Sequence, residues 1–112
     1  MAKTDEELLV ADTPEAFAEF YRRHARTVLG YFARRTHDPE AAADLTAETF
    51  ASALVARRRF QPADTPAIGW LYMIASRRLI DHQRRAALEQ RTREALTSAT
   101  ILAPHQRPRS RP

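Results

Sequence analysis

The sequence predicts an all-α fold: a compact bundle of three main helices, with a short lead-in helix before it and a disordered tail after it. No stretch alternates apolar and polar residues for long enough to predict a strand, whereas apolar residues recur at helical spacing in three long segments. Only two glycines occur, Gly30 and Gly69, which is typical of a chain with long uninterrupted helices. With 112 residues there is room for one domain of ordinary size, which we predict over residues 1–96, followed by a basic tail over 97–112.

The lead-in helix and the first main helix are predicted from signals near the N-terminus. The segment from Glu6 to Val10 predicts a short turn of helix. Asp12 or Thr13 can cap the helix that follows, since either side chain offers an oxygen to the first backbone N–H groups. Pro14 suits the first helical position. This helix should run to about Arg35. Its predicted apolar stripe consists of Phe17, Phe20, Tyr21, His24, Val28, Tyr31 and Phe32.

The second main helix is predicted over residues 39–57, after three residues that indicate the end of one helix and the start of the next. Asp38 is a suitable N-cap, Pro39 a suitable first residue, and Glu40 an acid favoured by the helix dipole. The face expected to be buried carries Ala42, Leu45, Thr49, Phe50 and Ala53. The opposite edge carries Asp44, Glu48, Ala51 and Val55, spaced by four, three and four residues. This edge is therefore predicted to be exposed, with two acidic residues followed by the apolar Ala51 and Val55.

A basic loop, RRRFQPADTP at residues 57–66, separates the second helix from the third. Thr65 is a candidate N-cap for the third helix, and Pro66 fits its first turn. The apolar arc of this helix contains Ala67, Ile68, Trp70, Leu71, Ile74, Ala75 and Leu79. The helix should fade after about Leu88 or Leu96, and residues 104–112, which alternate arginine with proline and polar residues, are expected to be disordered.

Two arginine pairs, Arg77–Arg78 and Arg84–Arg85, are carried by the third helix, and Arg77 and Arg84 lie one above the other outside the apolar arc. A helix that packs with one side and offers arginines with the other is a candidate nucleic-acid reader. A merely solvated basic face is commoner, so this pattern alone leaves both interpretations open.

Charge is distributed unevenly along the chain. Residues 1–50 hold six lysines and arginines against ten acids, whereas residues 51–112 hold twelve against four. The basic half fits a polyanion such as nucleic acid or an anionic membrane surface, and the acidic half fits a basic protein partner or none. The sequence contains no cysteine, which excludes disulfides and thiolate metal sites. No N-terminal apolar run is typical of a signal peptide and no run is long enough to span a membrane, so we expect a cytoplasmic protein.

Three motifs stand in order: DLTAETF at 44–50, the basic loop, and WLYMIASRRLIDHQRR at 70–85. Together with the segment FAEFYRRHARTVLGYFARRTHDPEAAADL upstream, they resemble region 2 of a bacterial extracytoplasmic-function sigma factor. The resemblance covers about residues 5–90. It implies binding to core RNA polymerase and to the −10 element of promoter DNA, and it makes an anti-sigma factor a further candidate partner.

The resemblance implies that the helix carrying DLTAETF docks on the clamp helices of the polymerase β′ subunit. The residues that would form this contact are Asp44, Leu45, Glu48, Ala51 and Val55. One position departs from the family, because Ala47 stands where glutamine is common and part of the polar contact is absent. The alternative is that Asp44 and Glu48 are only a solvated face.

The resemblance also implies that a base of the non-template strand is flipped into a pocket between the loop and the third helix. Residues expected to bind DNA are Arg57, Arg58, Arg59, Phe60, Arg77, Arg84 and Arg85: most as phosphate-binding cations, Phe60 as a stacking face. Arg77 occupies a position that is commonly asparagine, and because arginine has no acceptor the family's base preference does not carry over. Trp70 could act as a melting wedge, but its place on the apolar arc favours core packing.

No enzyme, cofactor, metal site or small-molecule ligand is predicted. His24 lies on an apolar face, where a satisfied core or boundary histidine is the expected role, and the other histidines are scattered. There is no phosphate loop, nucleophile elbow or convergent carboxylate pair.

A complete member of this family carries a second helical module that reads the −35 element, and the sixteen residues after Leu96 could not form it. The chain is either a piece of a longer protein or a natural single-module protein, and its arginine- and proline-rich end favours the latter slightly. Two alternatives to promoter binding therefore stay open: a polymerase-binding regulator or anti-sigma decoy that acts through protein contacts only, and a basic helical protein that adsorbs to any polyanion or membrane.

Overall fold

The computed structural model describes residues 2–102, in which four α-helices occur and no strand. They are α1 (Asp5–Ala11), α2 (Pro14–Thr36), α3 (Pro39–Ala56) and α4 (Ala67–Leu102), and a 3-10 turn (Arg57–Arg59) follows α3 directly. The predicted all-α bundle with a lead-in helix is confirmed. The chain divides into two units between Ile80 and Asp81, so that the first unit holds α1, α2, α3 and the start of α4. The domain boundary predicted at residue 96 stays a prediction.

Short capping motifs fix the first two helices. Thr4 and Glu7 form a reciprocal capping box at the start of α1, in which each side chain accepts a hydrogen bond from the backbone N–H of the other. α1 ends at Asp12, whose backbone is left-handed with φ 56°. Thr13 then caps α2 by accepting from the Ala16 N–H at 3.1 Å, with Pro14 as the first helical residue. Thr13, one of the two predicted caps, is therefore the N-cap of α2.

Only two residues connect α2 to α3. His37 adopts a left-handed conformation and donates its N–H to the Ala33 carbonyl, which closes α2. Asp38 Oδ1 accepts from the backbone N–H groups of Glu40 and Ala41 and so opens α3, as predicted. Because the connection is so short, α3 folds back along α2, and these two helices make the most extensive helix pairing in the described residues.

The core of the first unit is formed by the apolar faces of all four helices. Its fully buried large side chains include Phe20, Val28 and Phe32 from α2 and Leu71 from α4. All five residues predicted to be buried on α3 are buried. Two buried hydroxyls are satisfied within α3, because Thr46 Oγ1 and Thr49 Oγ1 donate to the carbonyls four residues earlier, at 2.8 and 2.7 Å. The core therefore contains no unpaired threonine hydroxyl.

Two residues of the predicted apolar faces are exposed instead. Tyr21 is 45% exposed and lies at the edge of the core, with its ring 4.9 Å from that of Phe50. Ile68 is also exposed, whereas its neighbour Ala67 is buried. A helical wheel drawn wide enough to hold seven residues includes positions at its margins, and tyrosine tolerates such a position because its hydroxyl can reach water.

The start of α4 differs from the prediction. Thr65 does not cap the helix: its hydroxyl lies 3.5 Å from the Pro66 carbonyl, and the Ala67 N–H donates instead to Glu6 Oε2 of α1 at 2.8 Å. The cap comes from a helix 61 residues earlier in the chain. The carboxylate is also the better partner, because a negative charge is stabilised at a helix N-terminus.

The second unit consists, in its described part, of residues 81–102 of α4. The helix continues past both predicted ends, and residues 97–102, assigned to the tail from the sequence, are helical. No proline or glycine occurs between Trp70 and Leu102, so nothing in this stretch forces the helix to stop. The remainder of the predicted disordered tail, residues 103–112, lies outside the described residues. Within residues 2–102 no helix is long and apolar enough to cross a membrane.

Candidate functional site

The outer edge of α3 is exposed, as the spacing predicts. Asp44, Glu48, Ala51 and Val55 all lie on the surface, and Val55 is 75% exposed. Leu45 was predicted both for the buried face of α3 and for the polymerase contact; it is 4% exposed and belongs to the core, and its part in the contact stays a prediction. A leucine one position from an exposed carboxylate is turned by about 100° on a helix, which here points it toward the core. We call Asp44, Glu48, Ala51 and Val55 the α3 edge.

A basic side chain from α4 approaches the α3 edge. Arg78 Nη1 lies 4.0 Å from Glu48 Oε1, and Nη2 of the same residue donates to the Ser52 hydroxyl. Glu48 is therefore next to a cation of its own chain. This contact cannot be predicted from local sequence, because Ser52 and Arg78 are 26 residues apart in the chain.

The 3-10 turn does not present its three arginines alike. Arg57 was predicted to contact phosphate; its side chain is only 13% exposed, and the phosphate contact stays a prediction. Its Nε donates to Asp12 Oδ1 at 2.9 Å, and its guanidinium carbon lies 5.6 Å from the centre of the Phe17 ring. Arg58 and Arg59 are exposed, although Arg58 Nε also lies 3.5 Å from Asp12 Oδ2. Asp12 thus binds two of the three cations in this turn.

Phe60, another of the predicted DNA-binding residues, is buried, and its stacking role stays a prediction. It was expected to offer a stacking face, but it is 5% exposed and its ring centre lies 5.3 Å from that of Trp70. Trp70 is partly buried and packs against the core, which confirms the interpretation favoured from the apolar arc. An aromatic residue in a polar loop is an efficient way to pin that loop to the core, and this pattern could have predicted the burial of Phe60.

The remaining predicted DNA-binding arginines are exposed. Arg77 lies on the surface of the first unit, and Arg84 and Arg85 lie on the surface of the second. In the first unit the structure therefore leaves Arg58, Arg59 and Arg77 as the accessible members of the predicted set.

A cluster of charged side chains joins α1 to α2. Arg23 donates to Asp5 Oδ1 at 3.1 Å and to Glu19 Oε2 at 3.2 Å. The hydrogen bonds from Arg22 and Arg23 lower the pKa of the Glu19 carboxyl below its ordinary value. Burial alone would lower the pKa of the Arg23 guanidinium, but its hydrogen bonds to Asp5 and Glu19 outweigh burial and raise it.

His24 belongs to the boundary of the same cluster. Its Nε2 lies 3.0 Å from Asp5 Oδ2, and its ring packs 4.9 Å from that of Phe20. Among residues 2–102 no group of histidines and acids is placed to hold a metal ion. The contacts of this cluster are those of a link between two helices.

By its fold and its charged surfaces, the first unit is a small all-α module with an acidic edge on one helix and an arginine-bearing turn after it. The sigma-70 region 2 family matches residues 20–89, and the chain belongs to that family. The resemblance to region 2 found from the motifs is thereby confirmed.

Two curated relatives are similar to the chain. RNA polymerase sigma factor YlaC of Bacillus subtilis (strain 168) is 34% identical over 96 residues, which are 82% of this chain and 55% of that protein. RNA polymerase sigma factor CarQ of Myxococcus xanthus is 38% identical over 73 residues, which are 62% of this chain and 41% of that protein. The chain spans about half the length of the curated relatives it matches. No solved structure matches it significantly.

Proposed function

We propose that this chain acts as the region 2 module of an RNA polymerase sigma factor, which binds core polymerase and engages the −10 element of promoter DNA in the cytoplasm. The observation that carries the proposal is the family match over residues 20–89, since that segment contains α3, the basic turn and the start of α4. The module has no enzymatic step of its own in this proposal; it binds and positions.

The α3 edge is the proposed surface for the clamp helices of the β′ subunit. It offers two exposed carboxylates, Asp44 and Glu48, followed by the small Ala51 and the exposed Val55. A partner helix with basic side chains at one end and apolar ones at the other would match this order. Because Arg78 lies 4.0 Å from Glu48, a cation of the partner would have to compete with it there, and Asp44 is the less encumbered contact.

The proposed DNA surface uses the exposed arginines. In the first unit the proposed contacts are Arg58, Arg59 and Arg77; in the second unit, taken by itself, they are Arg84 and Arg85. Arginine suits this task because its planar guanidinium binds phosphate and base edges in a bidentate manner. In this proposal, Phe60 and Trp70 stabilise the turn by packing against each other beneath it.

The polymerase contact is tested by charge reversal on α3. We expect the Asp44→Arg/Glu48→Arg variant to bind core polymerase more weakly by about 1–3 kcal/mol, the range for partly desolvated interfacial charges. The matched control is Glu89→Arg/Glu94→Arg, which makes the same charge change on the exposed part of α4. Binding is measured by titrating labelled protein with core polymerase, and circular dichroism checks that helicity is kept. Equal affinity of the two double variants would remove the α3 edge from the proposal.

Promoter engagement is tested by comparing a −10-like single strand with a scrambled strand of the same composition, each added to the complex of the chain with core polymerase. Preference for the −10-like strand supports the proposal. Polymerase binding without any strand binding would favour a regulator or an anti-sigma decoy that acts through protein contacts. Equal binding of both strands would favour a generic polyanion-binding protein.

A further inference from the structure

Asp12 occupies an unusual place between α1 and α2. It ends α1 in the left-handed conformation, with φ 56°, which few residues other than glycine, asparagine and aspartate adopt readily. From this position its carboxylate reaches across to the 3-10 turn, 45 residues later in the chain. Oδ1 lies 2.9 Å from Arg57 Nε and Oδ2 lies 3.5 Å from Arg58 Nε.

The two arginines are bound to Asp12 to different degrees. Arg57 is largely buried above Phe17, whereas the side chain of Arg58 is 79% exposed and its distance to Asp12 is the longer one. In addition, Arg57 Nη1 is buried and has no hydrogen-bond partner in the described part of the chain. A buried donor without a partner is costly, so this guanidinium would gain by moving to an acceptor such as a phosphate oxygen if the carboxylate no longer held it.

We propose that Asp12 is a built-in counter-ion that keeps Arg57 folded against α2 and thereby limits the affinity of the basic turn for single-stranded nucleic acid. The proposal rests on the DNA-binding function proposed above and adds a residue that restrains it. Asp12 is a positioning residue: it touches no DNA itself and acts through the arginines of the turn. Because it also ends α1, it connects the N-terminal helix to the turn that follows α3.

The charges around the turn support this role. Three arginines stand in sequence at residues 57–59, and Asp12 is the one acid that forms an ion pair with any of them in the described residues. Asp64, the acid nearest to the turn in sequence, is exposed and forms no ion pair within residues 2–102. Neutralising Asp12 therefore releases cations, whereas neutralising Asp64 only removes an unpaired surface charge.

This difference supplies a matched pair of variants. Asp12→Asn keeps the size of the side chain and suits the left-handed conformation, so we expect α1 to end as before. Asp64→Asn makes the same charge change in the loop that follows the 3-10 turn. The affinity of each variant, in complex with core polymerase, is measured for a fluorescent −10-like single strand over a series of salt concentrations.

We expect Asp12→Asn to bind the strand more tightly than Asp64→Asn, by about fivefold at 0.1 M salt for one recruited arginine, and to steepen the log–log salt slope by about 0.7. A second substitution assigns the effect to Arg57. Arg57→Gln should leave the salt slope unchanged in the parent protein but cancel the gain in the Asp12→Asn background. Glutamine keeps part of the side chain over Phe17, and circular dichroism shows whether each protein is folded.

Three other results would each contradict a stated part of the inference. If Asp12→Asn and Asp64→Asn bind alike, or if Asp12→Asn binds more weakly than the parent, Asp12 is not a restraint and the inference is overturned. If the gain survives Arg57→Gln, the assignment of Arg57 as the restrained cation is overturned. If the parent in complex with polymerase binds no strand, the proposed DNA-binding function fails, and the inference fails with it.

Discussion

At the scale of single residues, Phe50 has the clearest structural task. Its ring lies 4.9 Å from that of Tyr21 and 6.4 Å from that of Phe20, so it joins α3 to two adjacent aromatic residues of α2. It is 4% exposed and sits in the most extensive helix pairing of the first unit. Removing it would leave a cavity between two helices that the remaining side chains can fill only partly.

We therefore expect Phe50→Ala to lower the free energy of unfolding by roughly 3–5 kcal/mol, a large part of the ~5–15 kcal/mol available to a small domain. Thermal or urea unfolding followed by circular dichroism measures the loss. Val55→Ala, on the exposed edge of the same helix, serves as the control and should change stability little. If both variants unfold at the same midpoint, the facing of α3 described above is wrong.

Glu19 provides a test based on pH. Hydrogen bonds from Arg22 and Arg23 lower the pKa of its carboxyl below the ordinary 4.5. A lowered pKa in the folded state means that the ionised form stabilises the fold above the ordinary pKa, and that this contribution disappears as the pH falls through the lowered value. Glu19→Gln should therefore be less stable than the parent at pH 7, and the difference should shrink below pH 4.5.

The measurement is the midpoint of urea unfolding from pH 7 to pH 2.5, with Glu15→Gln as control because Glu15 is an exposed acid on the same helix. A difference between parent and Glu19→Gln that stays constant over the whole range would show that the ion pairs with α2 arginines contribute nothing through ionisation.

The sequence was sufficient for residues whose environment follows from helical periodicity alone. Phe50, Val28 and the α3 edge are placed as predicted, because a position on a helix decides its face. It was not sufficient for Arg57, since the burial of its side chain depends on Asp12, which is 45 residues away in the chain. Composition assigns an arginine to the surface, and only the tertiary contact shows that this one is held inside.

At the scale of elements, the helix ends show the same distinction. Thr13 and Asp38 cap their helices through N–H groups two or three residues ahead, so their roles can be predicted from a short window of sequence. The start of α4 is capped by Glu6, which no local window contains. α1 is thus more than a lead-in: through Glu6 it holds α4, and through Asp5 it holds Arg23 of α2.

We expect Glu6→Ala to destabilise the first unit by about 0.5–2 kcal/mol, the usual cost of losing an N-cap acceptor. Glu89→Ala, an exposed acid in the middle of α4, controls for the loss of one negative charge and should have almost no effect. Hydrogen exchange adds a local readout, because the amide of Ala67 should lose protection in Glu6→Ala before the amides of α3 do. Unchanged stability and unchanged exchange at Ala67 would show that Glu6 is not the cap.

At the scale of the whole molecule, the division of charge is the dominant feature. Acids outnumber basic residues in residues 1–50, and basic residues outnumber acids three to one in residues 51–112. This asymmetry is visible in the sequence, and the structure adds that the α3 edge and the exposed arginines are accessible within their own units. What composition could not predict is the internal pairing, in which Arg57 and Arg78 are engaged by acids of the same chain. The number of basic residues therefore overstates the charge that is free to bind a polyanion.

The last prediction separates affinity from base preference among the exposed arginines. Arg84→Ala, and likewise Arg59→Ala, should weaken binding to every single strand alike and reduce the log–log salt slope by about 0.7, because each removes one phosphate contact. Arg77→Ala should instead flatten the preference among bases at one position, with a smaller effect on a scrambled strand, since this residue is predicted to meet the captured base. The affinities are measured in complex with core polymerase, for a −10-like strand and its single-base variants at several salt concentrations. If Arg77→Ala keeps the base preference while Arg84→Ala changes it, the two roles are reversed, and the residue that reads the base lies in the second unit.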